Sequence, residues 1–545
     1  MLDGAVRFDP AEDPVSRDRS RSAAAMAELF APLDRLLGCG GDPRLRLNPA
    51  TAANEYGCQP FPCPDTLSFA SSTATSISMR AYERAGHARE ALMRSAISIG
   101  IDAAFDARIE ALRDELKNYL GLTNADIVFS PSGTDSQLHA LFLTRALLGP
   151  ALTTVIVAAD QTGSGTAYTS RGCHFSAATA NGSPVQKSEP VAGLAHSVTS
   201  VALGLLDENG NCRPQAEIDS RVLATIETSI ANGTGVLLQI MDSSKLGWRA
   251  PSDQCLDEIA ARWPDRVQVV VDACQMRLGR PRLKQYLNRG YLVLVTGSKF
   301  FTGPPFSGAL LVPAGLAGTI DAISEIAPGI LEYTSRSDWP MKWRGFRSCF
   351  PIRANFGQWL RWEAALEEIR GYHEVPDEFR RMALTAFGEG VERIIASSPW
   401  LRLLPPQPRP ADGGLDEELA QRTIFPFVIE TKHGALSLDD CRKIYRALAR
   451  DTRDSVSADM HAEIAAKACL IGQPVALGQR GPHPVAALRI CAGARLVTET
   501  WSPDADAARR NLRCELGHVS TIVAKIEWLL GHTNGLNYAE FPHGV

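Results

Sequence analysis

The chain contains no uninterrupted apolar run of the roughly 18 residues that a membrane-spanning helix needs, so the reading has no membrane contact in it. Its 12 cysteines stand singly, without the paired spacings of a zinc site or a disulfide framework, and neither metal nor cross-link is expected. Positive charge is not in excess. The 56 Lys and Arg against 61 Asp and Glu leave a net charge of −5 and a pI near 6.2, which offers no basic stripe for nucleic acid. Internal repeats and low-complexity tracts are missing as well, which argues against a solenoid or a long linker. The first thirty residues interleave Asp3, Asp9, Glu12 and Asp13 with Arg17, Arg19 and Arg21 and lack the apolar centre of a secretory signal. Together with unpaired cysteines, that composition suggests a reducing, cytoplasmic setting. Small anionic ligands must then be caught by local geometry.

What is present is ordinary for a folded chain. Hydrophobic residues make up 45% and charged residues 21%. At 545 residues the sequence exceeds what one hydrophobic core serves, so two or more units in close contact are expected. Residues 1–75 are irregular, with a proline-rich stretch at 59–64, and read as an extension wrapped onto something larger. From 81 to 120 the pattern is helical, with Leu112, Leu116 and Leu120 striping one face. Short apolar strands follow at 127–130, 155–158, 236–241, 267–271, 292–296 and 309–312, alternating with periodic segments such as 137–148 and 254–262. Val- and Ile-rich strands without alternation predict a mostly parallel sheet covered by helices on both faces, an α/β architecture. A long helix over 356–370 then leads to a differently organised region, with strands at 424–430 and 487–491 and a helix at 438–449. The predicted units are the extension 1–75, a large domain 76–350 and a smaller α+β domain 351–545.

Three places carry chemistry. Ser132, Gly133 and Thr134 follow the strand 127–130 and open a helix near Asp135, which sets backbone N–H groups and hydroxyls at a helix N-terminus suited to a phosphate. The same turn would also serve as a plain helix cap. The strand 267–271 runs into Asp272, Ala273, Cys274 and Gln275. In parallel sheets ligands lie beyond the carboxyl ends of the strands, so Asp272 would enter the same crevice as the Ser-Gly-Thr turn, unless it merely caps the next helix. An acid there can pair with a protonated pyridine nitrogen. The next strand ends in Gly297, Ser298 and Lys299 ahead of Gly303, Pro304 and Pro305. A partly desolvated lysine at a strand end loses basicity and becomes a nucleophile toward an aldehyde.

In this order and spacing the motifs resemble the fold type I enzymes that use pyridoxal 5′-phosphate (PLP), and within them the class V aminotransferase and cysteine desulfurase group. The resemblance runs from about Phe69 to Leu496 and is strongest over 269–312. It implies a Schiff base on Lys299, Asp272 against the pyridine nitrogen, and Gln275 on the phenolic oxygen. It places phosphate at Gly133, Thr134, Thr296 and Ser298, with Ser298 where desulfurases often carry histidine. Arg489, a position that would otherwise suit a surface ion pair, matches the arginine that grips the substrate α-carboxylate through two parallel hydrogen bonds. The segment Gly345, Phe346, Arg347 and Ser348 resembles one that reaches across a homodimer interface, although a basic loop at the domain junction would look the same. The run Ser71, Ser72, Thr73, Ala74 and Thr75 lies where the family's N-terminal segment crosses the active site.

The sequence departs from the family in two respects. Residues 160–166, Asp-Gln-Thr-Gly-Ser-Gly-Thr, hold no ring where a His or aromatic normally stacks on the cofactor, which leaves Tyr168, His174 and Phe175 as substitutes or as ordinary core and surface residues. A desulfurase also needs a nucleophilic thiol late in the chain, where Cys441 reads as structural and Cys469 as a strand residue. The implied activity is PLP-dependent transamination of, or elimination from, a small L-amino acid. A carbon–sulfur lyase or desulfurase-like elimination is the alternative within that class, and a non-catalytic PLP-binding or sensing protein the alternative outside it.

Overall fold

The computed structural model describes residues 14–70, 74–407, 419–432, 434–453, 462–480 and 483–532. Of the run 71–75, Ser71 to Thr73 lie outside the described residues. Two sheets organise the chain. The larger is built from β2 (Ala125–Ser130), β3 (Leu152–Val157), β4 (Val198–Leu203), β5 (Gly235–Met241), β6 (Val267–Asp272), β7 (Leu292–Thr296) and β8 (Gly308–Pro313), in the order β2-β8-β7-β6-β5-β3-β4.

The strands β4, β3, β5, β6 and β7 are mutually parallel, while β8 runs antiparallel to both β7 and β2. The mixed α/β class therefore holds, with one reversal. Residues 297–307 join β7 to β8 without a helix, and only a crossover of about a dozen residues or more would let the next strand run parallel. The edge strand β4 is absent from the sequence reading because its residues are half-exposed and give no apolar run. Two of the crossover helices are capped by side chains. Ser132 opens Gly133–Leu148 and Ser252 opens Asp253–Arg262, each hydroxyl accepting from the main chain three residues on. The helical stretch 79–120 is two helices, Met79–Ile99 and Ile101–Leu120, broken at Gly100, whose φ of +82° is left-handed. Leu112, Leu116 and Leu120 are buried, as their spacing predicts.

The smaller sheet comprises β1 (Leu67–Phe69), β9 (Leu401–Leu403), β10 (Ile424–Thr431), β11 (Gly434–Ala435), β12 (Cys469–Arg480) and β13 (His483–Cys491). Its order is β1-β12-β13-β10-β11, with β9 also on β10. The early segment is thus less irregular than its composition predicts. It contains a helix, Pro14–Leu29, and donates β1 in parallel to β12. Helix Phe356–Glu374 is buried on nearly every face and lies against Met79–Ile99. Its carboxylates are neutralised where it is driest. Glu363 meets Arg84 at 3.1 Å and Arg108 at 2.7 Å, and Glu368 meets Arg495 at 3.1 Å. Isolated charges at such depth would cost several kcal/mol each, which is why they come in clusters.

Candidate active site

The carboxyl ends of the parallel strands converge, and the backbone there is strained. Of the seven non-glycine residues with left-handed φ among the described residues, Ala158, Met276, Thr302 and Phe306 lie in the loops after β3, β6 and β7. Strain of this kind persists only where the surroundings over-determine it, and it concentrates at functional sites.

Asp272 ends β6 and is buried, with Oδ1 accepting from Cys274 N at 3.2 Å. Thr296 ends β7, pairs across to Cys274 O through its hydroxyl at 2.7 Å, and leads through buried Ser298 to partly buried Lys299. Gln275 is buried, and its carbonyl accepts from Phe300 N at 3.3 Å, which joins the two strand-end loops. The Ser-Gly-Thr turn closes on them. A Cβ on Gly133 would stand 2.7 Å from Cys274 Sγ and 3.6 Å from Thr296 Cγ2, so only glycine permits this approach. Asp272, Gln275, Thr296, Ser298, Lys299 and Gly133 are brought together.

The hydroxyls are not equivalent. That of Ser132 accepts from Asp135 N and donates to Asp135 Oδ2 at 2.5 Å, which is the capping role. That of Thr296 is committed to Cys274 O. The main-chain N–H groups of Gly133 and Thr134, in the first turn of a helix, have no intrahelical partner. Asp135 itself is buried, and desolvation followed by the nearby Asp42 carboxylate pushes it up to about 7.

Arg489 sits in β13, buried, and its sequence position gave no warning of how it is held. Nε and Nη2 donate to Gln473 O at 3.1 and 3.0 Å, and Nη1 to Lys245 O at 3.3 Å. These use three of the five guanidinium N–H groups and leave one on each terminal nitrogen. The surface ion pair is ruled out by burial.

Lys245, which the sequence reading passes over, belongs to this group. It projects from the loop after β5, where Ser244 Oγ accepts from both Leu246 N and Trp248 N, and its Nζ donates to Thr162 O at 2.6 Å. Burial, then the positive charges of Arg489 and Lys299, push its ammonium down to about 8, against smaller pulls from Asp272 and Asp160. The lysine follows a strand end just as Lys299 does, and that was the signal available.

Other positions fall elsewhere. Phe175 is core, His174 Nδ1 meets Tyr333 Oη at 2.6 Å, and Tyr168 lies under Lys187 and Arg171. In the ring-free loop, Gln161 is buried with both amide heteroatoms lacking a hydrogen-bond partner among the described residues. Cys441 donates to Ala486 O, and burial pushes Cys469 up to about 11, so neither is a ready thiolate. In the segment 345–348, Phe346 is buried among Trp339, Trp343 and Phe350, while Arg347 pairs with Asp106 of its own chain at 2.7 Å.

No protein-family model and no curated protein matches the chain. Among solved structures it is similar to the complex of the cystine C–S lyase C-DES with its reaction product cysteine persulfide, at 14% identity and TM-score 0.45, over 83% of this chain and 97% of that one. It is similar to Oryza sativa TDC with PLP and tryptamine at 13% and 0.47, over 94% and 99%. A third is ureidoglycine-glyoxylate aminotransferase from Bacillus subtilis, at 11% and 0.47, over 88% and 96%. Likeness at this level assigns no reaction. No helix among the described residues is long and apolar enough to cross a membrane.

Proposed function

We propose that this chain is a fold type I PLP-dependent enzyme, class V-like, that acts on a small L-amino acid. The observation that carries the reading is the placing of Asp272 at the carboxyl end of β6 and of Lys299 just beyond that of the adjacent parallel strand β7, with the Gly133 turn packed on Cys274 and Thr296 between them. The residues present fit the cofactor. Gly133 lets the turn pack directly on Cys274 and Thr296, which brings its main-chain N–H groups to the strand ends, and the Gln161 amide is a buried polar group with no hydrogen-bond partner among the described residues. In this reading residues 76–350 form the cofactor-binding domain, 351–545 the smaller domain, and 1–75 an extension over the site.

Phosphate would be held by the main-chain N–H groups of Gly133 and Thr134 with the Thr134 and Ser298 hydroxyls, while Ser132 and Thr296 brace the cradle from behind. Lys299 would carry the cofactor, Asp272 would keep a proton on its pyridine nitrogen, and Gln275 would donate to its phenolic oxygen. Bound there, PLP would supply an electron sink for a bond broken at the substrate Cα. Arg489 has one N–H left on each terminal nitrogen, the fork that a carboxylate fills, and so orients the substrate. The Lys299 amine would also serve as the base that takes the substrate Cα proton.

Transamination, or elimination that needs no protein thiol, suits this set better than desulfuration, because Cys441 and Cys469 are buried and held protonated. A cytoplasmic homodimer belongs to the same reading. Borohydride reduction of the purified yellow protein, followed by peptide mapping, should place the adduct on Lys299. An adduct on another peptide, or none, overturns the assignment. Keto-acid or other product release on adding amino acids then separates an enzyme from a cofactor-sensing protein.

A further inference from the structure

Lys245 has no task in the scheme above, yet it is built in as firmly as the residues that do. Its loop is closed by Ser244 N donating to Trp248 O at 2.8 Å and by a bridge between Met241 and Ala250. Asp242, at the loop base, takes Tyr286 Oη at 2.9 Å. The main-chain carbonyl of Lys245 accepts from Arg489, and its ammonium donates to Thr162 O across the crevice. One residue thus ties the loops after β3 and β5 to the small sheet.

Charge is what makes this costly. Arg489 and Lys299 are the like charges that act most on Lys245, and of the carboxylates acting on it Asp272 is, in the cofactor reading, reserved for the cofactor. Asp160 already accepts from Leu205 N at 3.0 Å and Leu206 N at 2.9 Å. Two desolvated cations set together raise each other's free energy, and an anion that reaches both lowers it. Arg489 answers one carboxylate. Lys245 is a second, separate cation, able to give two further N–H groups beyond the one on Thr162.

We propose that Lys245 is a specificity-determining residue that binds a second anionic group, so that the substrate is an α-amino acid with a side-chain carboxylate. This rests on the cofactor reading for the role of Arg489. The ammonium, a compact charge on a flexible stem, suits side chains of differing reach, whereas the fork of Arg489 fixes the α-carboxylate.

The test uses the holoprotein and unreactive ligands. Calorimetric titration with succinate and with butyrate should show succinate binding more tightly by about tenfold, the factor expected of one charge-assisted hydrogen bond. Lys245→Met should abolish the ratio of succinate to butyrate affinity, whatever its effect on butyrate itself, and Lys245→Arg, which keeps the charge, should retain most of it. For turnover, the preference for L-glutamate over isosteric L-glutamine in kcat/KM should fall about tenfold in Lys245→Met and be largely kept in Lys245→Arg. Equal binding of the two acids by the wild type overturns the proposal, even if the Met variant fails to fold. So does a Met variant that changes visible absorption but keeps the preference, since Lys245 would then serve the cofactor. Absence of a borohydride adduct on Lys299 is a different failure, that of the cofactor reading itself.

Discussion

Gly472 of β12 faces Arg489 of β13 across the small sheet, and a Cβ at Gly472 would lie 2.9 Å from Arg489 Cβ, 3.0 Å from Nε and 3.1 Å from Cζ. The arginine side chain passes over the glycine to reach Gln473 O and Lys245 O. Gly472→Ala should therefore displace the guanidinium without altering its charge. Misplacement of about 1 Å in a positioning group costs on the order of 10²-fold. The variant should lose affinity for a responsive L-amino acid and keep it for the corresponding decarboxylated amine. Arg489→Lys should behave likewise, with a loss of about 1.5–3 kcal/mol for the amino acid alone. Equal losses for both ligands would show that this pair supports the sheet and not the substrate.

Asp272→Asn should slow turnover by about 10²-fold or more while cofactor affinity changes far less. The amide oxygen still accepts from Cys274 N, so the loop geometry survives and only the charge is removed. Measuring kcat beside the cofactor dissociation constant decides the point. Parallel losses in both would mean that Asp272 holds the loop and leaves the ring alone.

How far the sequence revealed this site depended on whether a residue's meaning is local. Lys299 and Asp272 were readable because an apolar run that stops on a charged residue marks a strand end, and strand ends in parallel sheets are where ligands sit. Lys245 follows a similar run by four residues, but its importance comes from Arg489, 244 residues away, and from Thr162 in another loop. Nothing in the local pattern reports that meeting. Ser132 shows the opposite limit. A hydroxyl before a helix suits a phosphate and a cap equally, and here it bonds Asp135, three residues on, in the manner of a cap. Strands β1 and β4 were missed for simple physical reasons, the first being three residues long and the second a half-exposed edge. The reversal of β8 follows from the length of one loop and not from the composition of the strand.

Sedimentation of the holoprotein should give a mass near twice 58.9 kDa. Arg347 is bound to Asp106 within its own chain, so a dimer would not be held through that guanidinium. Arg347→Ala should accordingly weaken the fold near Asp106 and leave the dimer mass unchanged. A fully active monomer at assay concentration removes the homodimer from the reading.

Asp135 makes stability depend on pH in a direction opposite to that of most carboxylates. Its side chain is buried in the first turn of Gly133–Leu148, and desolvation followed by the Asp42 carboxylate pushes it up to about 7, against smaller downward pulls from the Ser132 hydroxyl and Arg44. In the unfolded chain an aspartate ionises near 3.9. Between about pH 4 and 7 the native state therefore holds a proton that the unfolded state has lost, and stability falls as pH rises through that window. The full penalty, reached above pH 7, is about 4 kcal/mol as an upper bound, from a shift of about three units at 1.36 kcal/mol each. Asp135→Asn removes the titration and keeps an oxygen to accept from Ser132. It forfeits about 0.3–1 kcal/mol of favourable helix-terminus charge, a smaller quantity. Urea denaturation should find the variant's advantage over wild type small at pH 4.5 and growing steadily to pH 8. A constant difference, or one that shrinks with pH, would show that Asp135 is ionised throughout. The same pair of proteins also reports on the cradle. A phosphate held by the Gly133 turn would raise the cost of the carboxylate further, so the pH 8 advantage should be larger with cofactor bound than after its removal.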